Sequence, residues 1–196
     1  IETDIEKVCF LVTASESYQT KNANMSVDEN LRQITEMAAT ADERGLETSA
    51  AVGIGFICPY EGVMPDERIF EVFERLYDAG IREIEIADSV GMADPRQVYD
   101  RCAAILDRWP DLELGLHLHN RHGLALLNVL AGLQAGVHTY SSTIGGIGAG
   151  IAMPENVNRR LMGNVATEEV VRLMDRLSLE TGGDLDEVRS LTEDIG

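Results

Sequence analysis

Three stretches of the chain end alike: Arg44-Gly45-Leu46, Ala79-Gly80-Ile81 and Ala135-Gly136-Val137. In each, a glycine follows a helix-like run and an apolar residue leads into a strand-like one. Glycine reaches the left-handed conformation that closes a helix without steric cost, so each triplet reads as a helix stop followed by a strand start. The segments between them agree. Residues 8–12 (VCFLV) form a short apolar strand. Ser26 opens a helix, with Glu29 three residues on as a capping box, and the helix runs to about Arg44. Residues 48–53 are a second strand, and 64–79 a helix with Pro65 near its start. Residues 83–87 are a third strand. Asp94 caps the next helix, with Pro95 at its first position, and that helix ends near Trp109 and Pro110. Residues 112–118 form a fourth strand, 123–135 a helix and 139–142 a fifth strand. A glycine-rich loop, 145–150, leads to a very short sixth strand at 164–166. Thr167 then caps a helix, and a last helix starts at about Asp184.

Strands alternating with helices are parallel strands joined by helical crossovers. A closed barrel and an open doubly wound sheet both satisfy that pattern. No GxGxxG follows the first strand, which speaks against a dinucleotide site. Six strand–helix units are two short of a closed eight-stranded barrel. With no Pro/Gly/Ser linker, the 196 residues read as one domain.

Charge narrows the partners. There are 34 acidic residues against 16 basic ones, a formal net charge of −18, and the lysines are Lys7 and Lys21. Such a surface repels phosphate backbones and anionic lipids, so neither nucleic acid nor a membrane is an expected partner. An anionic substrate would need a local positive site, such as a metal. The three cysteines, Cys9, Cys58 and Cys102, are widely spaced without a CxxC pair, which is no disulfide framework and suits a reducing cytoplasm. No apolar run reaches the length of a membrane span, and the first residues do not resemble a signal peptide. The sequence opens on Ile1 rather than Met, which leaves room for a segment upstream.

The strongest chemical signal is Leu116-His117-Leu118-His119-Asn120. Strand residues two apart share a face, so both imidazoles can reach one ion at the C-terminal end of the strand, where barrels carry their sites. Imidazole suits Zn, Mn, Fe or Ni, and oxygen co-ligands shift a site toward Mg or Mn. The competing interpretation is a pair of strand-end histidines bonded to backbone or solvent. His122 opens the next helix and could touch a substrate, whereas His138 reads as a surface residue. Asp88 ends the third strand, where its carboxylate would serve either as a base in the barrel mouth or as a cap for the following turn. The glycine loop can fold over a ligand with its N–H groups facing it. Cys58 has no neighbour that would activate it and reads as a packed thiol.

Several segments together resemble the 3-hydroxy-3-methylglutaryl-CoA lyase branch of the metal-dependent TIM-barrel lyases and Claisen-condensing enzymes. They are Thr13-Ala14-Ser15-Glu16 with Lys21-Asn22, Cys58-Pro59-Tyr60-Glu61-Gly62, Ala87-Asp88-Ser89-Val90-Gly91, His117-Leu118-His119-Asn120, Gly123-Leu124-Ala125, Ser141-Ser142 with the glycine loop, and Gly163-Asn164-Val165-Ala166-Thr167-Glu168. The resemblance implies a TIM (β/α)8 barrel lacking its first two strand–helix units, with residues 1–196 supplying strands 3 to 8. It implies a divalent metal, Mg or Mn ahead of Zn, on His117, His119 and Asn164. Asp88 and His117 are then the catalytic candidates, with Asp88 beside the substrate assisting proton transfer. The implied substrate is an acyl-CoA or hydroxy acid, cleaved by retro-Claisen or retro-aldol chemistry, and the implied assembly is a homodimer.

Two features depart from the family pattern. The opening strand, with its Asp ligand and catalytic Arg, is not part of this sequence. The loop position that carries a Cys in the lyases falls within Gly148-Ala149-Gly150. Two alternatives stand beside the lyase: a condensing enzyme of the isopropylmalate or citramalate synthase type, and a non-catalytic barrel acting as a binding module.

Overall fold

The computed structural model describes residues 5–148, 163–182, 184, 186–188 and 190–191. Five parallel strands form one sheet: β1 (Lys7–Thr13), β2 (Glu47–Gly53), β5 (Glu83–Asp88), β6 (Glu113–Leu118) and β7 (Thr139–Ser141). Their spatial order is their chain order. A doubly wound sheet reverses direction at a switch point, whereas a barrel adds each strand beyond the last. The order therefore decides between the two architectures in favour of the barrel, of which this chain forms part.

The expected helices are present: α2 (Val27–Glu43), α3 (Asp66–Asp78), α4 (Pro95–Arg108), α5 (Ala125–Gln134) and α6 (Thr167–Arg176). Gly45, Gly80 and Gly136 all have positive φ, at 68°, 89° and 100°, as the three stop signals require. Ser26 caps α2 by accepting the Glu29 N–H. At that helix start the Val27 N–H goes to the Glu16 carboxylate, 3.1 Å away. A complete capping box is found instead at α4, between Asp94 and Gln97.

The sequence reading differs from the structure in four further places. Helix α1 (Glu16–Ala23) was not expected, nor was the short hairpin of β3 (Ile57–Cys58) and β4 (Gly62–Val63). Residues 164–166 make two isolated bridges, His119 with Asn164 and Thr143 with Ala166, rather than a strand. Ala166, not Thr167, occupies the cap position of α6. In the glycine loop, Ile144–Gly146 forms a 3-10 turn, while Ala149 and Gly150 lie outside the described residues. Asp184 does open a final turn, its carboxylate accepting the Asp186 N–H at 2.8 Å.

The pleat sorts each strand by parity. Phe10, Val12, Ala50, Val52, Ile84, Ile86, Leu114, Leu116 and Leu118 are buried and belong to one continuous core with the helices. Each large side chain so buried contributes roughly 1.5–3 kcal/mol before chain entropy is set against it. The opposite face carries Leu11 and Thr13, Ala51 and Gly53, Glu85 and Ala87, and His117, all of which line one cleft. Among the described residues no helix is long and apolar enough to cross a membrane.

Candidate metal centre

His117 and His119 stand two residues apart at the C-terminal end of β6, on the cleft side of the sheet. Their ring centroids are 5.0 Å apart and their planes 74° apart. The Nδ1 of His119 lies 3.1 Å from the backbone oxygen of Asp88. A carbonyl only accepts, so Nδ1 carries the hydrogen and Nε2 keeps its lone pair for a ligand. Burial, reinforced by the neighbouring His117, pushes the His119 pKa down to about 4. Burial also lowers the His117 pKa, and the Asn164 side chain beside it partly offsets the shift. Both imidazoles are thus neutral at neutral pH, the form that binds a cation.

Asn164 comes from a distant part of the chain and is fastened to the end of β6. Asn120 N–H donates to Gly163 O at 2.7 Å and Val165 N–H to Leu118 O at 2.8 Å, with the His119–Asn164 bridge between them. The Asn164 Nδ2 donates to Ile147 O at 2.9 Å, and a side chain at Gly148 would come within 2.5 Å of that nitrogen. The amide is therefore held in one orientation, while its buried Oδ1 has the His117 ring as a polar neighbour but no partner at hydrogen-bond geometry. A buried, unpaired carbonyl oxygen costs about 1–3 kcal/mol, and a cation would relieve it. His117, His119 and Asn164 all line the same cleft of about 340 Å³.

Among the described residues no three His, Cys, Asp or Glu side chains cluster as a metal site, so the donor set is two imidazoles and one amide oxygen. That set fits a divalent cation that keeps open positions for substrate oxygens.

Of the two roles left open for the Asp88 carboxylate, the structure shows the cap. It has the parity of Ile84 and Ile86, is 1% exposed, and its carboxylate accepts the Met92 and Ala93 N–H groups at 3.2 and 2.9 Å. Its side chain thus caps the turn after β5 and does not line the cleft. Asp88 acts on the site through its backbone oxygen, which orients His119. Burial raises its pKa, against the pull of those backbone donors.

His122 and His138 are exposed and do not line the cleft. Cys58 is packed, with its sulfur 3.0 Å from Ser15 Oγ. Glu85, not singled out from sequence, projects into the cleft near His117. The alternation Glu83-Ile84-Glu85-Ile86 was the available signal, because it sets the acids on the face opposite the core.

Gly91 underlies the same corner. Its φ is +64°, and a side chain there would sit 2.7 Å from Arg121 N and 2.8 Å from His119 O. Gly91→Ala is expected to cost about 1–3 kcal/mol in strain and to weaken metal binding by displacing the end of β6. Thermal unfolding and Mn²⁺ titration calorimetry check both effects.

A singly wound parallel α/β sheet with two histidines and an asparagine at its C-terminal end defines a barrel-type protein with a candidate cation site. The HMGL-like family model matches residues 1–195, and the chain belongs to that family. It is 32% identical over 190 residues to hydroxymethylglutaryl-CoA lyase YngG of Bacillus subtilis (strain 168), covering 97% of this chain and 62% of that protein. It is 35% identical over 181 residues to (R)-citramalyl-CoA lyase of Chloroflexus aurantiacus, covering 92% and 56%. The HMG-CoA lyase of Acinetobacter baumannii, solved with coenzyme A and 3-methylmalate, superimposes with a TM-score of 0.89 at 28% identity, covering 97% and 60%. The chain thus spans somewhat over half the length of these relatives.

Proposed function

We propose that this protein is a divalent-metal-dependent carbon–carbon lyase acting on a hydroxyacyl-CoA thioester. The observation that carries the proposal is the convergence of two neutral imidazoles and an unpaired amide oxygen in one cleft at the C-terminal end of a parallel sheet. The lyase names of its relatives support the reaction class. Cleavage requires that the substrate's hydroxyl lose its proton and become a carbonyl. The bond between its carbon and the thioester's α-carbon breaks, and the resulting thioester enolate takes up a proton. A cation held by His117, His119 and Asn164 would supply positive charge to the substrate oxygens on which negative charge develops.

The chain's own groups define the rest. His119 is held by the Asp88 carbonyl and Asn164 by the Ile147 carbonyl, so neither must reorganise during the reaction. Leu11, Ala51 and Ala87 add an apolar wall to the cleft. The role proposed for His117 is to hold the cation, and proton transfer is not assigned to Asp88. Mg or Mn is the proposed ion, with Zn as the other choice. A homodimer in the cytoplasm completes the proposal, by analogy with the family.

The test offers the protein hydroxymethylglutaryl-CoA and citramalyl-CoA with Mn²⁺ or Mg²⁺ and follows acetyl-CoA release. Metal-dependent turnover of at least one, abolished by a chelator, is the expected result. Bound metal without turnover of either thioester would favour the non-catalytic binding module.

A further inference from the structure

Glu85 is half-sequestered in the floor of the cleft, with a quarter of its side chain exposed. Its neighbours across the sheet are Ala51 on β2 and Gly115 on β6. Both are small, and the Glu85 stem lies against Gly115, whose missing side chain would otherwise sit 3.4 Å from the Glu85 Cβ. The carboxylate can therefore lean toward β6. One oxygen accepts the Ser141 hydroxyl, and the other lies 4.0 Å from Nδ1 of His117. Hydrophobic burial alone does not explain a carboxylate here, since burying a charge is unfavourable unless it is used.

The two histidines then show one pattern. His119 has its Nδ1 3.1 Å from the Asp88 carbonyl, within hydrogen-bond distance, and His117 has its Nδ1 4.0 Å from the Glu85 carboxylate, just beyond it. Ligating histidines commonly donate the second ring N–H to a carbonyl or carboxylate, which fixes the ring and strengthens the ligating nitrogen. Hydrogen bonds in catalytic sites are often long without a ligand and tighten in the complex.

We propose that Glu85, braced by Ser141, is a positioning residue that orients His117 toward the cation. This rests on the metal site proposed above and adds a residue to it. Glu85 acts through His117 and touches neither the cation nor the reacting atoms. Ser141 reaches the same carboxylate from β7, so three adjacent strands fix one imidazole.

The test measures Mn²⁺ affinity by calorimetry and the visible spectrum of the Co²⁺ form, alongside thermal unfolding. Glu85→Ala is expected to bind Mn²⁺ about 10–100-fold more weakly and to shift the Co²⁺ spectrum, with the unfolding midpoint preserved. Glu85→Gln, whose amide oxygen still accepts from Nδ1–H, is expected to recover most of the affinity and the spectrum. Glu85→Ala binding like the wild type, while His117→Ala loses the ion, would overturn this inference alone. Equal loss in the Ala and Gln variants would also overturn it, by assigning the effect to charge rather than orientation. Should Glu85→Ala fail to fold, Ser141→Ala decides: weaker affinity supports the role, and unchanged affinity and spectrum refute it. A wild-type protein that binds no Mn²⁺ would remove the metal site itself, and this inference with it.

Discussion

Replacing Arg101 by methionine is expected to lower the unfolding midpoint by roughly 6–20 °C. Arg101 projects from α4, is 9% exposed, and ties down the connection between β2 and α3. Its guanidinium donates to Gly55 O at 2.6 Å, to Met64 O at 2.7 Å, and through Nε to Asp66 Oδ1 at 2.9 Å. The ion pair itself contributes little, because the Asp66 side chain is 59% exposed and well screened. The cost comes from the two buried carbonyls that methionine would leave without donors, about 1–3 kcal/mol each. For the two carbonyls together that is about 3–5 kcal/mol. Arg96→Met is the matched control. Arg96 is 90% exposed, its partner Asp100 is four residues along the same helix, and its loss should stay within about 0.5 kcal/mol. Equal midpoints for the two variants would show that the Arg101 fork does not hold the connection.

The strands and long helices were legible because their signals are local. A glycine after a helix and a capping residue before one act within a single turn, and the apolar runs of β1, β5 and β6 needed no distant partner to be recognised. Helix α1 escaped because its only large apolar side chain is Tyr18, so it shows no periodic stripe. Its start is set by Ser15, which accepts the Tyr18 N–H, and its position by Glu61, which accepts from both Ser15 and Ser17. The hairpin of β3 and β4 has two residues per strand, too few for alternation to register. The choice between barrel and open sheet depended on strand order, a long-range property that no window of sequence contains.

The site divides in the same way. His117 and His119 were legible as a pair because strand parity puts them on one face whatever else the chain does. Asp88 was placed in the mouth because it ends a strand, but its parity with Ile84 and Ile86 directs it to the core side, where Met92 and Ala93 claim its carboxylate. Glu85 carried the opposite lesson, since its parity with Glu83 marked the cleft face. Asn164 could be nominated by resemblance alone. What brings it beside the two histidines is the pair of hydrogen bonds that fasten residues 163–165 to the end of β6, a contact across more than 40 residues.

His119→Ala is expected to abolish binding of a divalent cation while leaving the fold intact. Loss of a partner that merely orients a ligand weakens binding about 10–100-fold, so loss of the ligand itself should exceed that range. The fold should survive for two reasons. The imidazole is neutral, with its pKa near 4, so no buried charge is left unpaired. The Asp88 carbonyl that loses the ring N–H keeps the backbone N–H groups of Gly91 and residue 119, at 3.2 and 3.3 Å. One thermal scan reads both effects. A ligand at a hundred times its dissociation constant stabilises by about 2.7 kcal/mol, so Mn²⁺ should raise the wild-type midpoint by about 5–10 °C and leave that of His119→Ala unmoved. His122→Ala, an exposed imidazole outside the cleft, should respond to Mn²⁺ as the wild type does. If His119→Ala kept its Mn²⁺-dependent rise, the cation would have to sit elsewhere, and the orienting bond from Asp88 would serve only the packing of β5 against β6.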